Sequence, residues 1–167
     1  MTKKNLLRVL ALDPGTRYIG VALLENGSPV HLGVKTIKKG MSPHETLKAG
    51  RKIILRFIKD YRPQVLAVEK TFFANNRNSA LLNVLGDEIR AIGKRKKLKV
   101  LSYAPNTIRK AICGNGRASK EDVARVLVSR WPELKVFLTQ DRKWKVRYHQ
   151  NMFDALALAV LAIKSKK

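Results

Sequence analysis

Short apolar runs alternate with amphipathic stretches along the chain, and this alternation predicts an α/β fold. Residues 8–24, RVLALDPGTRYIGVALL, predict two apolar strands joined by a tight turn. The Asn26-Gly27 turn leads to a third strand from Val30 to Ile37, so the first three strands are expected to form an antiparallel meander. Val65 to Val68 is a short apolar run typical of a buried strand, and Val100 to Tyr103 predicts a fifth strand. The pattern therefore predicts a mixed sheet flanked by helices.

Apolar residues at helical spacing predict five helices. The first opens at a capping box, Ser42-Pro43-His44-Glu45, and is stopped by Pro63. Ser119 with Asp122 forms a second capping pattern. The other predicted bounds are Ser79 to Gly93, Asn106 to Ile112, Ser119 to Trp131 and Gln150 to Ile163, with Glu133 to Val146 as a connection. No repeat or low-complexity linker interrupts this order, so residues 1–167 are predicted to form one domain.

The charge balance narrows the choice of partner. The chain has 35 lysine and arginine residues against 12 aspartate and glutamate residues, a formal net charge of +23. Such an excess predicts a polyanionic partner, with nucleic acid ahead of an anionic membrane surface. No stretch approaches the roughly 20 apolar residues of a membrane span, and Asp13 comes too early for a signal peptide. Cys113 is the only cysteine, which excludes a disulfide framework and fits a reducing, cytoplasmic compartment.

Three acidic residues interrupt apolar sequence. Asp13 ends the first strand, Glu69 ends the fourth, and Asp154 lies in the last helix. A single acid in such a position is more often capped or salt-bridged than catalytic. Together, however, two strand ends and one helix can bring carboxylates to a hard divalent cation such as Mg²⁺. Paired ions of this kind support phosphodiester hydrolysis, so the acids would hold metal while the basic surface holds phosphates.

The order of these parts resembles the RuvC family of Holliday-junction resolvases, within the RNase H-like superfamily. Four segments carry the resemblance: LALDPGTRYIGVAL, VLAVEKTFFANNRNSALLNVLG, GNGRASKEDV and FDALALAV. The resemblance implies an RNase H-like sheet with three antiparallel strands followed by two parallel ones. It also implies hydrolysis of four-way DNA junctions in recombination and repair, with two Mg²⁺ ions per site and Mn²⁺ as a substitute.

The resemblance assigns roles to individual positions. Asp13, Glu69 and Asp154 match the family's metal ligands, and Lys120 matches a basic residue close to the scissile phosphate. The family has an acid or a histidine three residues before the last acid, where this chain has Asn151. An amide oxygen binds a hard cation without adding negative charge. Three interpretations stay open: a variation compatible with cleavage, a loss of activity, or an introduced Asp-to-Asn change.

His149 is the alternative to Asn151. It lies five positions before Asp154, about 140° around an ideal helix. His149 would therefore reach the acids only if the chain were not yet helical at that point.

The resemblance also predicts a DNA surface. Phe72 matches an aromatic residue that the family inserts at the junction centre. Gly114 and Gly116 would let backbone N–H groups approach phosphate. Trp144 and Tyr148 lie among basic residues and fit stacking on DNA or internal packing equally well. The full predicted DNA-binding set is Phe72, Asn75, Arg77, Gly114, Gly116, Arg117 and Lys120.

The expected partners are branched DNA and a second copy of the chain, with branch-migration proteins implied by the resemblance. The helix from Ser79 to Gly93 is the expected dimer contact, although its apolar positions fit an internal core equally well. The sequence is compatible with a bacterial, phage or organelle source.

Three other functions share some of these features. A YqgF-type nuclease acting on ribosomal RNA precursors shares the first segment, but the other three favour the resolvase. An actin-like ATPase shares the turn Asp13-Pro14-Gly15-Thr16 but needs two lobes that 167 residues do not provide. A non-enzymatic binder of branched DNA is the third alternative, because of Asn151.

Overall fold

The computed structural model describes residues 6–70 and 77–166, and of residues 77 and 78 the backbone alone. Its five strands form one sheet in the order β3-β2-β1-β4-β5. β1 pairs antiparallel with β2 and β2 with β3, while β4 and β5 extend the sheet parallel to β1. This confirms the predicted mixed sheet. The strand bounds are β1 (Arg8–Asp13), β2 (Tyr18–Glu25), β3 (Ser28–Thr36), β4 (Val65–Glu69) and β5 (Lys99–Tyr103).

The helices follow the predicted order. Both capping boxes are confirmed: the Ser42 hydroxyl accepts from the Glu45 N–H, and the Ser119 hydroxyl accepts from the Asp122 N–H. A 3-10 helix, Pro132–Phe137, precedes the last helix. The α-helix bounds are α1 (Pro43–Tyr61), α2 (Arg77–Arg95), α3 (Pro105–Cys113), α4 (Lys120–Arg130) and α5 (Lys143–Lys164).

The last helix begins two turns earlier than predicted. The prediction of a connection from Glu133 to Val146 is wrong at both ends, because a 3-10 helix and the start of α5 occupy it. The first fully buried residue of α5 is Met152, so residues 143–150 carry no apolar periodicity that would reveal a helix. The residue preceding the helix, Arg142, makes no side-chain capping bond that would mark its start.

Alternation along the strands sorts side chains onto two helical layers. Leu10 and Leu12 join the core under α1 and α2. Val9 and Ala11, with Val65 and Ala67 of β4, join the second core under α3, α4 and α5. The next odd-numbered positions, Asp13 and Glu69, therefore belong to the face covered by α5. In the part of the chain that the structure describes, no helix is long and apolar enough to cross a membrane.

Candidate active site

Asp13 and Glu69 lie side by side at the carboxyl ends of neighbouring parallel strands. Leu12 is in register with Val68, so the acid that follows Leu12 in β1 is adjacent to the acid that follows Val68 in β4. Neighbouring strands are about 4.8 Å apart. Ligand sites form at such strand ends because helices leave a crevice there.

Helix α5 brings Asp154 to the same place, and Gly20 of β2 permits the close approach. Gly20 pairs with Asp13. A Cβ at Gly20 would lie 1.9 Å from the carbonyl oxygen of Asn151, so the helix backbone rests directly on the strand. The carboxylate of Asp154, only 13% exposed, faces the cleft from one turn further along α5.

Both oxygens of Asp154 are already engaged. The Lys120 ammonium donates to Oδ2 at 2.7 Å, and the Gln150 amide donates to Oδ1 at 3.0 Å. Ser119 and the capping box orient the first turn of α4, which carries Lys120. Glu69, Arg109, Lys120 and Asp154 line a common cleft of about 80 Å³.

The acids of this cleft repel one another. Burial, followed by the charges of Asp154 and Glu69, raises the pKa of Asp13 well above its ordinary value, and Lys120 offsets only part of this. Burial and the charge of Asp154 likewise raise the pKa of Glu69, against the opposing effects of Lys120 and Arg109. The site therefore holds more negative charge than its cations balance.

The charges of the acids also act on Lys120. Partial burial alone would lower the pKa of Lys120, but the charge of Asp154, their hydrogen bond, and the charges of Asp13 and Glu69 outweigh burial and raise it. Lys120 is therefore held as a cation, and its side chain is 54% exposed. An ammonium in that position can turn outward without crossing the core.

The acids do not yet form a closed metal site. Within residues 6–70 and 77–166, no three His, Cys, Asp or Glu side chains are close enough together to hold one ion. The donor set nevertheless fits a hard divalent cation. The acids are oxygen ligands, and burial followed by mutual repulsion raises the pKa of two of them. The partner of the third is a half-exposed lysine. Binding a cation at Asp154 would require Lys120 to release one carboxylate oxygen.

Asn151 lies beside the site, and His149 does not reach it. Asn151 borders both the turn after β1 and the groove that contains Asp154. Its amide nitrogen donates to the carbonyl oxygen of Tyr148 at 3.1 Å. The His149 ring packs 4.7 Å from the ring of Phe137, and burial lowers its pKa. Since the chain is helical there, the alternative of His149 as a ligand is not supported.

The structure places only part of the predicted DNA surface. Phe72 and Asn75, and the side chain of Arg77, lie outside the described residues. Gly114 caps α3 at φ 75°, and its N–H donates to the Lys110 carbonyl oxygen, so that N–H is not available to phosphate. Gly116 packs against Asn106, where a Cβ would lie 3.2 Å from the carbonyl oxygen.

Arg117 is exposed just before α4 and stays a predicted phosphate contact. It lies three residues before Lys120, which lines the cleft.

Sequence reasoning missed two residues of the site. Arg109 projects from α3 into the cleft beside Glu69, and Gln150 holds Asp154 from the preceding turn of α5. Arg109 is one of many basic residues, and Gln150 is polar in a segment not predicted to be helical. Only the i, i+4 spacing of Gln150 and Asp154 could have indicated their pairing.

Tyr148 and Trp144, the aromatic residues among the cations of early α5, differ in burial. Tyr148 packs on the sheet: its hydroxyl donates to the Val34 carbonyl oxygen at 3.1 Å, and its ring meets Tyr18 edge-on at 5.4 Å. Trp144 is 58% exposed.

Comparison with known proteins agrees with this geometry. A family model described as crossover junction endodeoxyribonuclease RuvC matches residues 9–162. The RuvC of Caldanaerobacter subterraneus is 31% identical over 162 residues, covering 92% of this chain and 90% of the relative. A Thermus thermophilus RuvC structure matches with a TM-score of 0.73 at 21% identity over 96% of both chains. The same protein in complex with a Holliday junction substrate matches with a TM-score of 0.72 at 20% identity, covering 96% and 95%. These structures show a shared fold.

Proposed function

The chain belongs to the RuvC family of crossover junction endodeoxyribonucleases, and from that premise we propose that it resolves four-way DNA junctions by metal-dependent hydrolysis at Asp13, Glu69 and Asp154. The observation that carries the proposal is the arrangement of these acids on one sheet face, at two adjacent strand ends and the helix across from them. The net charge of +23 supports a DNA substrate. A cytoplasmic location with DNA, and branch-migration proteins as partners, belong to the same proposal.

The acidic and basic residues of the site have different proposed roles. Asp13, Glu69 and Asp154, with the amide oxygen of Asn151 as a weaker ligand, would hold Mg²⁺ or Mn²⁺. Two bound Mg²⁺ ions, the number that the family resemblance implies, would supply an activated water and stabilise the leaving oxygen. Lys120, released from Asp154, is a cation positioned to pair with the phosphate that is cut. Arg109, on the far side of Glu69, adds a second positive charge in the cleft.

In this proposal the Lys120 ammonium changes partner, from the Asp154 carboxylate to a DNA phosphate. Metal binding at Asp154 and DNA binding at Lys120 are therefore coupled. While the site is free, the ammonium offsets acid repulsion through its 2.7 Å contact with Asp154. Lys120, once its contact with Asp154 is released, would place its charge toward DNA, while the freed Asp154 oxygen would help hold the ion. The family activity leaves 5′-phosphate and 3′-hydroxyl ends, which we propose for this chain as well.

The proposal is tested by cleavage and binding on one set of substrates. A four-way junction, a flap, a linear duplex and an RNA hairpin are incubated with Mg²⁺ or Mn²⁺, and binding is measured separately in EDTA. We expect paired incisions in the junction and little cutting of the others. Preferred cutting of the RNA would favour the YqgF-type activity, and tight junction binding with no cutting in either metal would favour a branched-DNA binder.

Asn151 specifically favours that second candidate, a catalytically impaired binder, and one substitution tests its role. Asn151→Asp adds a carboxylate one turn from Asp154, and we expect roughly tenfold faster junction cleavage at low Mg²⁺ because a charged oxygen binds a hard cation more tightly. Asn26→Asp makes the same charge change at the β2–β3 turn, far from the cleft, and should leave the rate unchanged. Equal rates for Asn151→Asp and wild type would remove Asn151 from the ligand set.

We also propose that two copies of the chain act together, because two strands must be cut symmetrically. Leu85, Ile89 and Ile92 of α2 are buried against the sheet, so these positions form internal core. Val84, about 105° around α2 from the mean direction of these residues, is 50% exposed and accessible to a partner.

Val84→Glu is expected to convert a dimer to a monomer in light scattering and to leave single nicks instead of paired cuts. Val126→Glu, on α4, is the matched control, since Val126 is also an exposed valine. Identical masses and cleavage patterns for the two variants would place the dimer contact elsewhere.

A further inference from the structure

The first two turns of α5, residues 143–150, extend past the core and carry an exposed tryptophan among cations. We call these residues the α5 extension. The stretch 142–147, RKWKVR, has four basic residues and no acid. None of these cations forms an ion pair with another described residue. Trp144 is 58% exposed, and the Lys145 ammonium lies 5.9 Å from the centre of its ring. Free cations around an open aromatic face match the chemistry of a nucleic acid.

The α5 extension shares a helix face with the candidate active site. An ideal helix turns by about 100° per residue. On that geometry five side chains point within roughly 60° of a common direction: Lys143, Trp144, Arg147, Asn151 and Asp154. Trp144 and Asp154 are ten residues apart, which is about 15 Å along the axis. That length spans four to five nucleotides at about 3.4 Å each.

A groove of about 320 Å³ lies along part of this face. Its lining residues are Val146, Arg147, Gln150, Asn151 and Asp154 from α5, and Lys120 and Glu121 from α4. The groove therefore runs along α5 from Asp154 to Arg147, the nearest cation of the α5 extension. Tyr148 anchors the extension to the sheet through Val34, so the extension is held in place.

We propose that the α5 extension is a second DNA contact, in which Arg147 and Lys143 pair with phosphates about three and about five nucleotides from the cut and Trp144 stacks on a base left unpaired at the branch. The proposal rests on the proposed function, because it needs branched DNA in the cleft. A base inside a continuous duplex offers no free face, whereas a branch point does. The contact therefore favours branched over linear DNA.

Binding measured in EDTA tests the stacking. Trp144→Ala is expected to weaken four-way junction binding about tenfold and linear-duplex binding by less than twofold, while Trp144→Phe retains most of the junction affinity. Because Trp144 is exposed, neither change disturbs the fold. An equal loss on junction and duplex, or no loss on either, would overturn the stacking role.

The phosphate contacts are tested by salt dependence. Lys143→Ala should reduce the slope of log affinity against log salt by about one, as one phosphate contact is lost. Lys59→Ala is the matched control, since Lys59 is exposed on α1, on the opposite sheet face. Equal slopes for Lys143→Ala and Lys59→Ala would show that the α5 extension does not touch phosphate.

Tryptophan fluorescence gives a readout independent of affinity. The chain has two tryptophans, and Trp131 packs against the core with Arg130 4.5 Å over its ring. Saturating junction DNA should quench wild-type fluorescence and leave Trp144→Phe nearly unchanged; equal quenching in both would contradict the proposal. If the wild-type protein binds and cuts junctions, and the Trp144 and Lys143 variants bind them equally well, the proposed DNA contact of the α5 extension is wrong and the proposed function stands. If wild type neither binds nor cuts them, both fail.

Discussion

Replacing Asp13 with asparagine is expected to abolish junction cleavage, to spare junction binding in EDTA and to stabilise the metal-free protein. A loss of activity on the order of 10³-fold or more follows if Asp13 is a ligand acting on the transition state. The stability gain follows from electrostatics, because burial and the charges of Asp154 and Glu69 raise the pKa of Asp13. An ionised Asp13 therefore opposes folding at pH 7, and its removal should raise the free energy of unfolding by about 1–2 kcal/mol.

The pH dependence of that gain has a definite sign. A carboxyl group with a raised folded-state pKa stabilises the fold while it is protonated, and this stabilisation is lost as pH rises through the folded-state pKa. The difference between Asp13→Asn and wild type should thus be largest above that pKa and should vanish below about pH 3.9, the ordinary pKa of aspartate. Chemical denaturation in EDTA at a series of pH values measures it.

Asp60→Asn is the matched control for charge. Asp60 lies on α1, 52% exposed, and pairs with Arg56 at 3.6 Å. This variant should cut normally and gain no stability. In addition, Mg²⁺ should raise the melting temperature of wild type and of Asp60→Asn but not of Asp13→Asn. Cleavage by Asp13→Asn, or a stability no higher than that of the control, would remove Asp13 from the metal site.

Gly20→Ala is expected to destabilise the protein by about 3 kcal/mol or more and to stop cleavage. The added Cβ would lie 1.9 Å from the Asn151 carbonyl oxygen and 3.2 Å from the Asp13 Cβ. Neither the helix backbone nor the strand can yield through a side-chain rotation, so α5 must move away from β2. That movement separates Asp154 from Asp13. Thermal unfolding should show a fall in melting temperature of roughly 6–12 °C.

Gly33→Ala separates this effect from the general effect of alanine in a strand. Gly33 lies on the neighbouring strand β3, where an added Cβ would meet only the flexible His31 side chain at 3.5 Å. We expect a change below about 1 kcal/mol and normal cleavage. Similar losses in both variants would show that the approach of α5 to Gly20 does not position the site.

The ends of β1 and β4 and the capped starts of α1 and α4 were predictable because each is marked by a few neighbouring residues in the sequence. Apolar runs that stop at Asp13 and Glu69 fix where two strands end, and the alternation of side chains puts both acids on one sheet face. The capping boxes at Ser42 and Ser119 set two helix starts to the residue. The start of α5 was missed because its exposed first turns have neither a cap nor an apolar stripe.

By itself the sequence determined the order of elements, the placement of three acids and the excess of positive charge, since these depend on neighbouring residues or on counting. Only the tertiary structure decided that Lys120 pairs with Asp154, that Arg109 enters the cleft, and that Trp144 stays open while Tyr148 packs. These outcomes depend on how helices α3, α4 and α5 pack on the sheet. The bare backbone at Gly20 lets α5 come close enough for the acid of a helix to join the acids of two strands.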